Sequence, residues 1–294
     1  MDMNSKGIHT SACQYRRFQF LIVCSIGGTC NGDIVDDPHL RGAQGTRFDF
    51  SGLPDKSFAL VSDQRLAINI LLRGYLDNRN ESATSFVNGK AIRTWVREFA
   101  VLWHDGVTEH KVHFTARNGA RVERGMGYLA GVEADGSMQT LPKKVGDSLF
   151  APGGFTLTMT SIEKHGSRDV EAYTLSIDGL LTMTVRMQVA HRLLRTETEA
   201  EAHFNLGIKA IEASSDIHGI LGQTFRADHA QRAAEYMALT NLIHAPIVVE
   251  AESGKGFLDG EPVKDYMLTD LMNPECRFNR YTPPALHLPG VSSS

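Results

Sequence analysis

Residues Tyr173–Val189 read YTLSIDGLLTMTVRMQV, two alternating runs on either side of Asp178-Gly179. Tyr173, Leu175 and Ile177 fall on one side of an extended chain, Thr174 and Ser176 on the other. Beyond the Asp-Gly pair, Leu181, Met183, Val185, Met187 and Val189 alternate with Thr182, Thr184, Arg186 and Gln188. A period of two sends every second side chain to the same face, so each run reads as a strand with one buried and one wet side. Asp and Gly tolerate the positive φ of tight primed turns, and the two runs read as a β-hairpin.

The same period recurs in both directions along the chain. Phe155, Leu157 and Met159 alternate with Thr156, Thr158 and Thr160. His110, Val112, Phe114 and Ala116 alternate with Lys111, His113, Thr115 and Arg117. Ala202, Phe204, Leu206, Ile208 and Ala210 do so against His203, Asn205 and Lys209. Asn88-Gly89, Asn118-Gly119 and Asp135-Gly136 supply further reversals. Helix signals are few. Asp228 is placed to cap a short helix through Ala230, Ala233, Ala234 and Met237, and Lys264–Met272 gives a turn or two before Pro274 stops it. A boundary within 142–154 is conceivable, but the strands on both sides read as parts of one folded unit. Residues 282–294, with three prolines and a final Ser run, read as a frayed tail. The pattern predicts a mostly β, antiparallel, meander-rich protein.

With 294 residues, 42% hydrophobic and 22% charged, the chain can bury a full core and shows no disordered composition. Its net charge is −4, with Lys and Arg scattered, which argues against a nucleic-acid or anionic-membrane surface. No apolar run approaches the ~20 residues of a transmembrane helix. Arg16-Arg17, the apolar stretch Phe18–Ile26 and the small residues Gly27-Gly28 follow the order of a signal peptide. Residues 1–29 are therefore either a signal peptide, cleaved near Gly27–Cys30, or a disordered leader feeding a first buried strand. Of four cysteines, Cys13 and Cys24 fall in this leader. Cys30 and Cys276 remain, either as one end-to-end bridge or as two unrelated buried thiols.

Several blocks stand in an order that belongs to a known family. They are Asp37-Pro38-His39-Leu40 with Gly45, Phe48-Asp49-Phe50 and Gly52; Lys56-Ser57-Phe58, Leu60-Val61-Ser62-Asp63 and Ile68-Asn69; Ala202-His203-Phe204; the run His218-Gly219-Ile220-Leu221-Gly222-Gln223-Thr224-Phe225-Arg226; and Asp265-Tyr266 through Pro274, Cys276, Phe278 and Tyr281. This arrangement resembles the plant root-cap, late-embryogenesis-like proteins, themselves similar to von Willebrand factor type D domains. The nine-residue run from His218 is the most specific block. The resemblance covers about residues 30–281 and implies an antiparallel β-sandwich of type D kind with a short C-terminal helical segment. It implies a Cys30–Cys276 bridge, since both positions match family cysteines. It also implies secretion to the extracellular space or cell wall. Ala59 and Ala200 stand where the family tends to carry two further cysteines, a loss that suits a reducing compartment and keeps a cytoplasmic location as the alternative.

Candidate chemistry is sparse. Asp36, Asp37 and Asp49, with His39, put carboxylates in a turn-rich span, and related type D domains hold calcium. The ligand count is short for Ca²⁺, and strand-edge polar groups and turn caps account for the same residues. His104, Asp105, Glu109, His110 and His113 look like a metal or acid–base cluster, but three-residue spacing sends His110 and His113 to opposite faces of a strand. His104-Asp105-Gly106 reads as a turn. Gly125–Ala130 matches a dinucleotide fingerprint by letter alone, without a βαβ frame. Gly219 and Gly222 mark a close backbone approach or a bulge. Asn80-Glu81-Ser82 is a glycosylation acceptor on the secretory route.

Two functional readings follow. In the first, residues 30–281 form a non-enzymatic extracellular or cell-wall-associated module of a plant. It recognises an extracellular protein or polysaccharide and needs no cofactor. In the second, the chain is a divergent enzyme with a pocket in the sandwich, where His203 or His218 acts as acid or base near Asp49.

Overall fold

The computed structural model describes residues 32–35, 39–43, 47–50, 52–77, 85–87, 90–117, 129–165, 168–189, 202–229, 231–232, 234–235, 247–248 and 258–284. The leader 1–29, Cys30, Asp36, Asp37, Asn80, the turn pairs at 88–89 and 118–119, and residues 285–294 lie outside the described residues.

Strands, numbered in chain order, form two sheets. The first runs β11 (Ser148–Ala151), β12 (Phe155–His165), β13 (Arg168–Ile177), β14 (Leu181–Val189), β15 (Ala202–Ile211), β1 (Gly32–Val35), β2 (His39–Arg41), β3 (Arg47–Asp49), β16 (Ile247–Val248). The second runs β10 (Ser137–Gln139), β9 (Leu129–Ala134), β8 (Glu109–Arg117), β7 (Lys90–His104), β5 (Leu66–Asp77), β4 (Lys56–Asp63), β17 (Met267–Leu268), with β6 (Ser85–Val87) also on β7. Every described pairing is antiparallel except β16 on β3. The mostly β, antiparallel class expected from the period of two is the one adopted. Residues 142–154 carry the chain from the second sheet to the first.

The hairpin read at 173–189 is present, with Tyr173 opposite Val185, Leu175 opposite Met183 and Ile177 opposite Leu181. Its turn differs from the two-residue primed form. It spans three residues, with Leu180 N–H donating to the Ile177 carbonyl at 2.9 Å and positive φ at Gly179 but not at Asp178. The reason is Leu180, which the longer loop tucks into the core. Asp135-Gly136 is the primed case: both residues have positive φ, between paired Ala134 and Ser137.

The inner faces share one apolar core. Phe99 of β7 and Phe114 of β8 stack at 4.3 Å, and Phe204 of β15 meets Phe99 edge-on at 5.1 Å. Trp103 of β7 stacks on Phe155 of β12 at 5.9 Å. Sheet-to-sheet adhesion rests on these aromatics, each burial contributing roughly 1.5–3 kcal/mol.

The second sheet is covered outside as well as inside. Ala67, Ala100 and Leu102 form a satellite cluster with Leu271 and Tyr281 from the C-terminal segment. The expected helix at 264–272 lies instead at Pro262–Tyr266. Pro262 suits a first helical turn, and the helix ends because Met267 and Leu268 pair with Phe58 and Ser57 of β4. Residues 229, 231, 232, 234 and 235 are helical, with Arg232 N–H donating to the Asp228 carbonyl at 3.2 Å.

Replacing Phe204 with Ala removes one of the rings that join the two sheets. A loss of about 3–5 kcal/mol in unfolding free energy is expected, measured by denaturant titration.

Candidate functional site

Pairing between β4 and β5 slips at Ala59–Val61, which frees main-chain groups of β4 for another partner. The run from His218 takes them. Ile220 N–H donates to the Ala59 carbonyl at 3.0 Å and Leu221 N–H to the Leu60 carbonyl at 2.9 Å. Ser62 and His218 exchange both backbone hydrogen bonds at 2.7 Å. Gly219 lies between, with φ +100°, where a Cβ would stand 2.6 Å from the Leu60 carbonyl oxygen. The close approach read from the two glycines is therefore real at Gly219, and the bulge lies on the strand facing it. Downstream, Gly222–Phe225 form a 3₁₀ turn, and Thr224 Oγ1 accepts the Ala43 N–H at 3.1 Å.

This docking carries His218 into a buried network. Gly219 N–H donates to His218 Nδ1 at 3.0 Å, so the ring proton sits on Nε2 and is donated to Asp259 Oδ2 at 3.1 Å. The ring stacks on Phe278 at 4.3 Å, nearly parallel, and lies 5.8 Å from Tyr266. Asp259 also accepts Arg226 at 2.9 Å and Arg232. Arg226 grips Asp228 with two hydrogen bonds, at 3.1 and 2.9 Å. Gln223 closes the inner side. Its amide donates to the Gly219 carbonyl and to Tyr266 Oη, and its oxygen accepts Asp259 N–H. Tyr266 Oη then donates to the Asp259 carbonyl at 2.6 Å.

The electrostatics follow from this packing. Burial is the main cause pushing His218 down to about 4; Asp259 opposes it, while Arg280 and Arg226 add to it. Burial alone would raise the Asp259 carboxyl, but the Arg232 hydrogen bond and the charges of Arg232 and Arg226 hold it below its ordinary value. The result is a neutral imidazole beside a carboxylate already neutralised by arginine. Both ring nitrogens are engaged, so His218 has no lone pair to offer a substrate proton.

The other candidates are dispersed. Asp49 pairs with His39 at 2.7 Å on neighbouring strands β3 and β2, so its imidazole partner is neither His203 nor His218. His203 is buried on β15 opposite Gln188, its ring 6.4 Å from Trp95. His110 faces inward beside Trp103 and Asp135, while His113 meets Glu98 on the other face at 2.8 Å, as the period of two requires. Asp105 Oδ1 accepts the N–H groups of Val107 and Thr108, which is the turn expected at 104–106. Leu129 and Ala130 open strand β9, not a dinucleotide-binding helix. Cys276 is half-buried, and burial raises its thiol. Among the described residues no group of three or more His, Cys, Asp or Glu is gathered as a metal site requires.

Among the described residues two of the surface clefts bear on the candidates. One of about 290 Å³ is lined by Asp63, Arg65, Glu212 and Ser214, the other of about 480 Å³ by Thr140, Lys143, Lys144 and Ser148 among others. Neither is lined by His203, His218 or Asp49. The partners of His218 were not legible as such in the sequence: Asp259 lies 41 residues away in an ordinary Leu-Asp-Gly context. Among the described residues no helix is long and apolar enough to cross a membrane. No protein-family model and no curated protein matches this chain.

Gly219→Ala is expected to cost about 3 kcal/mol or more, since a Cβ collides with backbone that cannot move aside. Gly136→Ala, at positive φ but with open space around it, is expected to cost only about 1–2 kcal/mol; paired denaturation curves compare the two. The pH dependence has a definite sign. The unfolded histidine titrates near ~6.5, above the folded value of about 4. As pH falls through that window the unfolded state takes up the proton first, so stability falls, and the loss levels off below about 4. The Asp259 contribution is lost only at lower pH, through its own depressed value. His218→Phe is expected to be about 1–3 kcal/mol less stable at neutral pH, with a shallower slope between pH 6.5 and 4 in thermal melts.

Proposed function

We propose that this chain is a non-enzymatic extracellular or cell-wall-associated module of a plant, of the root-cap, late-embryogenesis-like kind. Its two sheets are read as the layers of a type D-like sandwich. It acts by recognising an extracellular protein or polysaccharide, and it requires no cofactor. One observation carries this reading: the most specific block of the resemblance, His218–Arg226, is occupied in holding the fold together. Its imidazole is neutral, stacked on Phe278 and hydrogen-bonded at both nitrogens. A residue in that state braces a scaffold; a general base needs an available lone pair and a substrate beside it.

The compartment is tested by mass. The protein secreted from plant cells is expected to begin near Cys30 and to gain two hydrogens on reduction, from a Cys30–Cys276 bridge. Intact-mass measurement before and after reduction reads both features. A full-length, fully reduced secreted product would overturn the reading.

A further inference from the structure

The outer face of the first sheet carries an array that the hairpin pattern did not assign to any role. Across four strands the register aligns Ser148, Thr158, Thr174 and Thr184 in one row. The adjacent row is Phe150, Thr156, Ser176 and Thr182. Seven hydroxyls and one phenyl ring thus occupy a two-by-four grid. From sheet geometry it measures about 14 Å across the strands and about 7 Å along them. Phe150 is 71% exposed at the edge of the grid.

Two contrasts within the molecule set this face apart. None of its eight positions is charged, and the neighbouring Arg186 and Glu163 pair with each other at 3.7 Å. The outer face of the second sheet instead carries Glu98, Lys111, His113 and Glu133, and the C-terminal segment packs over part of it. Threonine suits strands for its shape alone. A wet sheet face ordinarily mixes in Lys and Glu for solubility; here the eight grid positions carry none, and the charges of the face, Arg186, Glu163 and the exposed Lys209, stand at its border.

We infer that the grid is a docking face for an extended neutral polysaccharide, laid across β11–β14 with a sugar ring against Phe150. The inference rests on the recognition-module reading above and names its partner. Charge complementarity selects the occupant: an uncharged face penalises an ionic partner by stripping its water without returning a counter-charge. A neutral polyol loses nothing of that kind. A hydroxyl can both donate and accept, as sugar hydroxyls do; Ser148 and Thr158 spend one such bond on each other at 2.8 Å and keep their remaining capacity, and the exposed ring offers an apolar surface to the carbon face of a pyranose.

The test is co-sedimentation of the mature protein with microcrystalline cellulose and insoluble β-1,3-glucan, with a polygalacturonate gel as the acidic arm. Retention by at least one neutral glucan, unchanged at high salt, is expected. Thr158→Lys/Thr174→Lys is expected to weaken it on the order of tenfold or more, and Phe150→Ala several-fold. Circular dichroism and the melting midpoint check that both variants remain folded, and Thr158→Ser/Thr174→Ser serves as the mild variant expected to keep binding. Equal retention of the lysine variant, no retention of the parent by either glucan, or retention by the acidic gel alone would each overturn the inference. So would a dimer that the lysine variant dissociates, since a second copy would then occupy the face. These outcomes are separable from failure of the module reading. A processed, bridged protein that ignores neutral glucans sinks only the grid, whereas a full-length reduced protein that binds through it sinks only the compartment.

Discussion

The main chain of Gly219 lies against the Leu60 carbonyl, and most of what is specific to this molecule depends on that contact. A bulge in β4 turns two carbonyls away from β5, and only a residue without Cβ comes close enough for the N–H groups of Ile220 and Leu221 to donate to them. Ser57–Asp63 are therefore buried on both faces, inwardly by the aromatic core and outwardly by the docked run and the C-terminal segment. Ser62 shows the consequence at one residue. Its backbone binds His218, and its hydroxyl donates to Asn279 and accepts Arg280 N–H at 2.8 Å. Segments far apart in the chain are clamped to one strand, so the C-terminal covering and the central run are mechanically coupled.

In the polar network above that contact Gln223, Tyr266 and Asp259 are fully engaged, while Arg232 Nη2 finds no hydrogen-bond partner among the described residues. Gln223 uses both ends of its amide, Tyr266 links its oxygen to Gln223 and Asp259, and Asp259 is surrounded by two guanidinium groups. Leaving any of these unmatched would cost on the order of 1–3 kcal/mol. A network of this kind selects one arrangement of the loop, because every alternative breaks several bonds at once. It also engages both ring nitrogens of His218, and desolvation disfavours the charged form of the ring.

The two outer faces divide the remaining roles. One is charged and partly roofed by the chain's own C-terminal segment around Leu271 and Tyr281. The other presents hydroxyls in register across four antiparallel strands, a consequence of alternation on each strand together with hairpin loops that keep the rows aligned. Among the described residues nothing plays on the first sheet the part that Leu271 and Tyr281 play on the second.

Alternation at 109–117, 155–160 and 173–187 was enough to determine strands, their buried sides and the antiparallel class, since a period of two admits one assignment of faces. At 202–210 the strand was legible but its faces were not, because a register shift against Thr182-Met183 turns Ala210 outward and Ile211 inward, and His203 and Asn205 are buried too. The need for a small residue at 219 was likewise legible, and so was the separation of His110 from His113. Other features depended on distant pairings. The C-terminal helix ends at Tyr266 because its expected continuation, Met267-Leu268, is claimed by β4. The Asp178-Gly179 turn lengthened because Leu180 found space in the core. Above all, tertiary structure decided that His218 faces Asp259 while Asp49 faces His39. Local pattern reports which side of a strand a residue occupies. The carboxylate waiting there is set by how sheets and crossovers bring separate segments together, and no short-range periodicity encodes that.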